Sequence, residues 1–263
     1  MTLFSAIVLG CLQGLTEFLP VSSSAHLALA QLLMPGFQQP GLVFDVALHL
    51  GTTAAVLALE WRRLWDAFRG RYLLRMTGQL GAATVVTAAV GLPLRRTAER
   101  AFEQPLVVAA GLALTGLLLL SLTRLRGDSG GPANMPWRAA VLVGLTQGVA
   151  VMPGVSRSGS TIVVGVRSGL ERRWAADFSF LLSVPAILGA AVVEGWSHRA
   201  ALVAAPAALW WTATSGAVAA ALVGGAALLA VRRRVHGGRL HLFAYYVLPL
   251  AVVTVVLRLA GVW

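Results

Sequence analysis

Residues 139–166 read AAVLVGLTQGVAVMPGVSRSGSTIVVGV, an apolar stretch interrupted by proline, glycine, arginine and hydroxyl residues. It is long enough to cross a bilayer, which takes about 20 mostly apolar residues in a helix. A broken, polar backbone at membrane depth is tolerated only where protein buries it or water reaches it. We therefore interpret this stretch as a re-entrant helical hairpin that forms part of a functional site.

A second stretch of the same kind lies near the N-terminus, at residues 3–30. The two stretches align without gaps when residues 134 positions apart are paired, and both contain GxxQG followed by VSxS. The identical pairs are Gly10/Gly144, Gln13/Gln147, Gly14/Gly148, Val21/Val155, Ser22/Ser156 and Ser24/Ser158. This similarity predicts internal repeats at approximately 1–123 and 139–261 within a single integral membrane domain, 1–263.

The composition indicates a membrane protein. Hydrophobic residues make up 57% of the chain and charged residues 12%, and the mean hydropathy is +0.78. A soluble domain is about 45–50% apolar and about 25% charged. The candidate spans are 42–60, 78–93, 105–123, 178–193, 208–231 and 241–261. We predict an all-α, polytopic membrane protein with six spanning helices plus two re-entrant helical hairpins in an inverted-topology repeat.

The distribution of arginine predicts the orientation. All 21 basic residues are arginine, and the net charge is +11. An inverted repeat places the predicted loops 61–77, 124–138, 167–177 and 232–240 on one side, where they hold 15 arginines against 5 on the opposite side. Arginine-rich loops face the cytoplasm, so both termini are predicted outside the cytoplasm. The same clustering between apolar runs argues against a nucleic-acid partner.

Glu17 is the first candidate catalytic residue, because an acid inside an apolar segment is energetically costly and usually functional. Gln13 lies one helical turn earlier and shares its face. The alternative is an acid at a water interface that holds a helix end.

A hydroxyl-rich turn with a histidine follows Glu17. Its polar residues are Ser22, Ser23, Ser24 and His26. A serine becomes a nucleophile when a base takes its proton, and histidine is the usual base. The alternative is a hydroxyl-rich contact between membrane helices.

Residues 153–161 resemble an anion-binding turn at the start of a helix. Glycines permit close approach of the backbone, and hydroxyls with free N–H groups at a helix start bind anions. The candidate substrate-binding residues here are Gly154, Ser156, Ser158, Gly159 and Thr161. Arg157 adds a planar fork of donors that matches phosphate oxygens. It needs an anion at membrane depth, either from Glu17 in a purely structural ion pair or from a substrate.

Two motifs resemble those of the undecaprenyl-diphosphate phosphatase family, bacterial membrane enzymes linked to bacitracin resistance. Residues 13–26, QGLTEFLPVSSSAH, match the family block [EQ]GxxEFLPVSSxxH, and residues 153–161, PGVSRSGST, match PGxSRSGxT. Further similar segments are Phe44-Asp45, Leu50-Gly51, Trp61-Arg62-Arg63 and 178–182 with Pro185. The resemblance therefore covers nearly the whole chain. It implies hydrolysis of undecaprenyl diphosphate in the bacterial plasma (inner) membrane, which recycles the lipid carrier for peptidoglycan and cell-wall synthesis.

The resemblance also implies roles for individual residues. Glu17 would bind a divalent cation, Mg²⁺ or Ca²⁺, together with Gln13, or would position water. Ser23 would be the nucleophile unless water attacks directly, His26 the acid/base, and Arg157 the residue that holds the diphosphate. The remaining substrate-binding residues would be Gln13, Ser22 and Ser24, beside those of the second motif.

The chain departs from the family pattern at two positions. Many members have glutamate where this chain has Gln13, so any metal site carries one less negative charge. Many have a Tyr-Arg pair in the last helix, whereas Val247 follows Tyr246 here. A second substrate-binding arginine is therefore missing or supplied elsewhere.

Two other functions remain open from the sequence. A lipid-phosphate transporter or flippase would use the same anion site, since inverted repeats with broken helices are a feature of transporters. A membrane scaffold without a site would leave Glu17 and Arg157 unexplained. The sequence also leaves open whether the protein is a homodimer.

Overall fold

Six long apolar helices dominate the computed structural model, which describes residues 1–34, 42–69, 73–124 and 130–263. Within these residues, the candidate membrane spans are Val43–Trp61, Leu74–Phe102, Pro105–Arg124, Arg172–Ser197, Ala207–Val235 and Leu240–Leu259. The prediction of an all-α, polytopic membrane protein is therefore confirmed. The predicted spans 78–93 and 178–193 are extended at both ends, because charged residues beyond the apolar runs continue the helices.

The helices are α1 (Leu3–Phe18), α2 (Ser23–Leu32), α3 (Leu42–Arg69), α4 (Leu73–Phe102), α5 (Pro105–Ser121), α6 (Trp137–Val149), α7 (Arg157–Arg167), α8 (Arg172–Ser197), α9 (Arg199–Val203), α10 (Ala207–His236) and α11 (Ala244–Leu259). Short 3-10 turns follow α5 and precede α11. Two arginines of the predicted loops, Arg71 and Arg126, lie outside the described residues. The side chains of residues 62–69 are also outside the description, and they include Arg62 and Arg63 of the family-like segment that begins at Trp61.

Both predicted interruptions of the apolar stretches are present. The chain leaves α1 after Phe18 and begins α2 at Ser23, and it leaves α6 after Val149 and begins α7 at Arg157. The starts of α1 and α6, of α2 and α7, and of α4 and α10 are each 134 residues apart. The internal repeat and the re-entrant insertion from opposite membrane faces stay predictions.

Small residues let α1 and α6 pack closely against long helices. A Cβ atom added to Gly10 would overlap the backbone of Gly216 in α10, and one added to Gly144 would overlap the backbone of Ala83 in α4. Close approach through small residues is typical of helix pairs in membranes, where dispersion contacts replace the hydrophobic effect as the driving force. These contacts fix the helix that precedes each interruption.

A buried ion cluster joins three of the long helices. Arg232 of α10 pairs with Glu60 of α3, and with Asp177 of α8 at 3.1 Å. Arg232 falls in the predicted loop 232–240, and this prediction is wrong for Arg232: α10 continues to His236, and the Arg232 side chain is only 12% exposed. The helix continues past the apolar run because the carboxylates compensate the buried charge.

Helix α5 holds the turn that leads into α7. The Thr115 hydroxyl accepts a hydrogen bond from the Ser156 N–H at 2.9 Å and lies 3.1 Å from the Gly154 carbonyl. Gly154 has a φ of +83°, and a Cβ atom there would overlap the backbone carbonyl of Val108 in α5. Only glycine adopts this conformation at this distance without strain. Thr115 and Gly154 together fix the position at which Arg157 begins its helix.

Replacing Thr115 by valine is expected to destabilise the protein by about 1–3 kcal/mol, because the Ser156 N–H loses its acceptor in a buried site. Thr115→Ser keeps the hydroxyl and is the matched control. Apparent melting temperatures of the purified variants in detergent measure the effect. Equal melting temperatures for the valine and serine variants would contradict this role of Thr115.

Candidate functional site

The two interrupted segments meet at Glu17. Arg157 donates from Nη2 to Glu17 Oε1, and the Ser23 hydroxyl donates to Oε2 at 2.7 Å. Gln13 also donates to Oε2, at 3.0 Å. The Glu17 side chain is 4% exposed, and a buried carboxylate is stable only when it is paired and hydrogen-bonded. The structure thus brings together four residues that the sequence singled out from two distant motifs.

Arg157 retains donor capacity beyond its ion pair. Its Nη1 is buried and has no hydrogen-bond partner among the described residues. A guanidinium carries five N–H donors, and buried donors are rarely left unsatisfied. The Ser156 hydroxyl caps the same helix by accepting from the Gly159 N–H at 3.1 Å. Arg157 therefore has a donor that its ion pair with Glu17 does not use.

The turn before α2 has an unusual backbone conformation. Ser22 has a φ of 68°, although it is not glycine. This left-handed conformation costs about 1–3 kcal/mol and persists where the surroundings enforce it, often at functional sites. Ser22 is also the N-cap of α2, where its hydroxyl accepts from the Ala25 N–H. The turn places Ser23 as the first residue of α2, with its hydroxyl on Glu17.

His26 does not form the predicted pair with Ser23. Its Nδ1 donates to the Ser22 carbonyl at 2.7 Å, and its Nε2 accepts from the Tyr246 hydroxyl at 2.7 Å. Both ring nitrogens are therefore engaged, and the Ser23 hydroxyl contacts Glu17 instead. His26 instead holds the Ser22 carbonyl and ties α2 to α11. Val247, next to Tyr246, is fully buried in an apolar cluster.

Three residues of the predicted anion cradle, Ser158, Gly159 and Thr161, contact other parts of the protein. The Ser158 hydroxyl donates to the Leu19 carbonyl at 3.2 Å, and the Thr161 hydroxyl lies 2.6 Å from that of Ser179 in α8. A Cβ atom on Gly159 would lie 3.1 Å from the side chain of Pro20. These residues join α7 to the first turn and to α8, and neither hydroxyl lines the cavity described below.

His49 of α3 belongs to the site, and we did not predict it. Its Nδ1 is 3.0 Å from Gln13 Nε2 and 3.6 Å from Glu17 Oε1. The sequence does contain a signal for His49, because an ionisable residue within a predicted membrane span is rare and usually functional. His49 lies within the predicted span 42–60, four residues after the family-like Phe44-Asp45 pair.

A cavity of about 550 Å³ opens beside these groups. Its polar lining includes Glu17, the serines 22–24, His49, Ser156 and Arg157. Most of its remaining lining comes from apolar residues of α4 and α8, such as Leu92 and Ile187. Arg95 and Glu194, which form an ion pair between these two helices, also line it. A polar site next to an apolar wall suits an amphipathic ligand.

The oxygen atoms near Glu17 are of the kind that a divalent cation takes as ligands. Gln13 Oε1 is buried and has no hydrogen-bond partner in the described part of the chain. Together with the Glu17 carboxylate it offers oxygen ligands, and Mg²⁺ is often bound by one or two carboxylates plus substrate phosphates. A complete protein cage is not formed: the described residues contain no cluster of three or more histidine, cysteine or acidic side chains suited to a metal.

Comparisons with known proteins agree with the resemblance. The family described as "Bacitracin resistance protein BacA" matches residues 6–253. An undecaprenyl-diphosphatase of Syntrophotalea carbinolica is 45% identical over 205 residues, which cover 74% of this chain and 77% of that protein. Undecaprenyl-diphosphatases of Pelotomaculum thermopropionicum (43% identical; 74% and 75% covered) and Novosphingobium aromaticivorans (39% identical; 77% of both chains covered) are also similar.

Proposed function

The chain belongs to the bacitracin resistance protein BacA family, and from this premise we propose that it hydrolyses undecaprenyl diphosphate to undecaprenyl phosphate and inorganic phosphate. This reaction recycles the lipid carrier for peptidoglycan synthesis. The observation that carries the proposal is the Glu17 carboxylate, which binds the Ser23 hydroxyl on one oxygen and Arg157 on the other. A candidate nucleophile and an anion-binding group thus each lie within hydrogen-bonding distance of the same candidate base, Glu17.

Arg157 would bind the terminal phosphate through its unused Nη1 donor. Ser23 Oγ attacks the terminal phosphorus as its proton passes to Glu17 Oε2. The bond between that phosphorus and the bridging oxygen breaks, and undecaprenyl phosphate leaves. Water then attacks the phosphoserine, Ser23 recovers a proton from Glu17, and both hydrogens of the water leave on dihydrogen phosphate. Positioning and charge neutralisation contribute most of the catalysis in such reactions.

A divalent cation, if bound, would be held by Glu17 and Gln13 and would neutralise charge on the phosphate oxygens. The apolar residues of α4 and α8 would contact the first isoprenoid units of the lipid. We place the protein in the bacterial plasma membrane with both termini outside the cytoplasm, because the arginine-rich segments then face the cytoplasm. A homodimer stays a prediction.

Phosphate release by the purified protein from undecaprenyl diphosphate in detergent tests the proposal. We expect release that requires intact Glu17, Ser23 and Arg157. The same protein in vesicles with labelled lipid separates hydrolysis from transport. Movement of lipid between leaflets without phosphate release would overturn the proposal in favour of a flippase.

Replacing Arg157 by lysine is expected to lower kcat/KM by about 10²-fold, the cost of losing one aligned donor to the developing charge. Lysine keeps the positive charge but offers no planar fork that can bind Glu17 and a phosphate together. Arg138→Lys, at an exposed position in the first turn of α6, is the matched control. Unchanged kcat/KM in Arg157→Lys would show that charge alone suffices there.

A further inference from the structure

We infer that His49 is a further catalytic residue, whose Nε2–H donates a hydrogen bond to a phosphate oxygen of the substrate. The inference rests on the proposed function and adds to it a donor outside the two motifs. The His49 side chain is 40% exposed. It lines the same cavity as Glu17, Ser23 and Arg157. A diphosphate held by Arg157 and attacked by Ser23 would therefore lie beside the imidazole ring.

The hydrogen bonds of Gln13 determine which nitrogen of His49 carries the proton. Gln13 Nε2 has two N–H groups; one faces Glu17 Oε2 at 3.0 Å and the other faces His49 Nδ1 at 3.0 Å. Nδ1 must accept in this arrangement, since an amide nitrogen only donates. Glu17 Oε1 is 3.6 Å from Nδ1, too far for a competing hydrogen bond. The ring therefore carries a proton on Nε2.

The Nε2–H group has no hydrogen-bond partner among the described residues, so it is free to donate into the cavity, as is Arg157 Nη1 beside it. His26, the other histidine near the turn, cannot take this part because both of its nitrogens are occupied. A preorganised N–H donor stabilises the charge that develops on a phosphoryl group. It would act together with Arg157, since the two side chains approach Glu17 Oε1 from different helices.

Two substitutions separate this role from a merely structural one. The glutamine side-chain amide nitrogen reaches the position of histidine Nε2, whereas asparagine reaches only the position of Nδ1. If His49 donates to the substrate, His49→Gln keeps kcat within a few-fold of the wild type, and His49→Asn loses about 10²-fold. If His49 only orients Gln13, the order is reversed, because asparagine still offers an acceptor near the Gln13 amide.

The experiment measures kcat and KM for phosphate release from undecaprenyl diphosphate, together with the melting temperature of each variant. His241→Gln and His241→Asn, in the turn before α11, are the matched controls and should leave kcat unchanged. Equal values for the two His49 variants, whether both retained or both lost, or the reversed order, would overturn the inference. An inactive wild-type protein would instead overturn the proposed function, so the two failures are distinguishable.

Discussion

Turnover of undecaprenyl diphosphate is expected to fall by about 10³-fold when Glu17 is replaced by glutamine, within the range found for the loss of a general base. Glutamine has the same shape and still accepts a hydrogen bond, but it cannot take the proton of Ser23. It also leaves the Arg157 guanidinium without a negative partner in a buried site. Glu17→Gln therefore affects proton transfer from Ser23 directly, and it also affects the position that Arg157 takes before substrate binds.

Phosphate release at saturating substrate gives kcat for Glu17→Gln, and size-exclusion profiles and melting temperatures show whether the variant folds. Glu103→Gln, at an exposed position between α4 and α5, is the matched control. More than a tenth of the wild-type kcat in folded Glu17→Gln would show that Glu17 is not the base.

A double variant separates the catalytic role of Glu17 from a purely structural ion pair. Removing one partner of a buried pair costs about 3–5 kcal/mol, whereas removing both is often nearly neutral. Glu17→Gln combined with Arg157→Gln should therefore recover thermal stability and remain inactive. Recovery of activity together with stability would mean that the pair only supports the fold.

The sequence predicted those parts of the site that follow from the types of residues present, without knowledge of the tertiary structure. Pro20 and the serines end α1, and Pro153 with Gly154 ends α6, so both interruptions could be located from residue types alone. The contact between Glu17 and Arg157 was predictable because each charge needs a partner at membrane depth. None of this required knowledge of how the long helices pack.

The role of His26 could not be predicted, because it depends on residues that are distant in sequence and on a rare backbone conformation. Ser23 and His26 are one helical turn apart, which favours a direct pair. The turn at Ser22 instead presents a carbonyl that Nδ1 satisfies, and α11 brings the Tyr246 hydroxyl to Nε2. The contributions of Thr115 and His49 are likewise set by helix packing, since each reaches the site from a different long helix.

Replacing Ser23 by alanine is expected to lower kcat by at least about 10³-fold, because the variant lacks the oxygen that attacks phosphorus. The wild-type protein, quenched during turnover, should carry a phosphoserine at residue 23 that mass spectrometry of its peptides detects. The 2.7 Å hydrogen bond from the Ser23 hydroxyl to Glu17 Oε2 supports attack by Ser23, since Glu17 already contacts the hydroxyl that it would deprotonate.

Direct attack by water predicts different results for the same measurements. Glu17 would then activate a water molecule, Ser23→Ala would retain much of its turnover, and no phosphoserine would form. Ser215→Ala is the matched control for the substitution, because the Ser215 hydroxyl donates to the Trp211 carbonyl of its own helix, away from the site. A folded Ser23→Ala variant within ten-fold of wild-type kcat, without a trapped phosphoserine in the wild type, would assign the attack to water and leave Ser23 as a residue that positions Glu17.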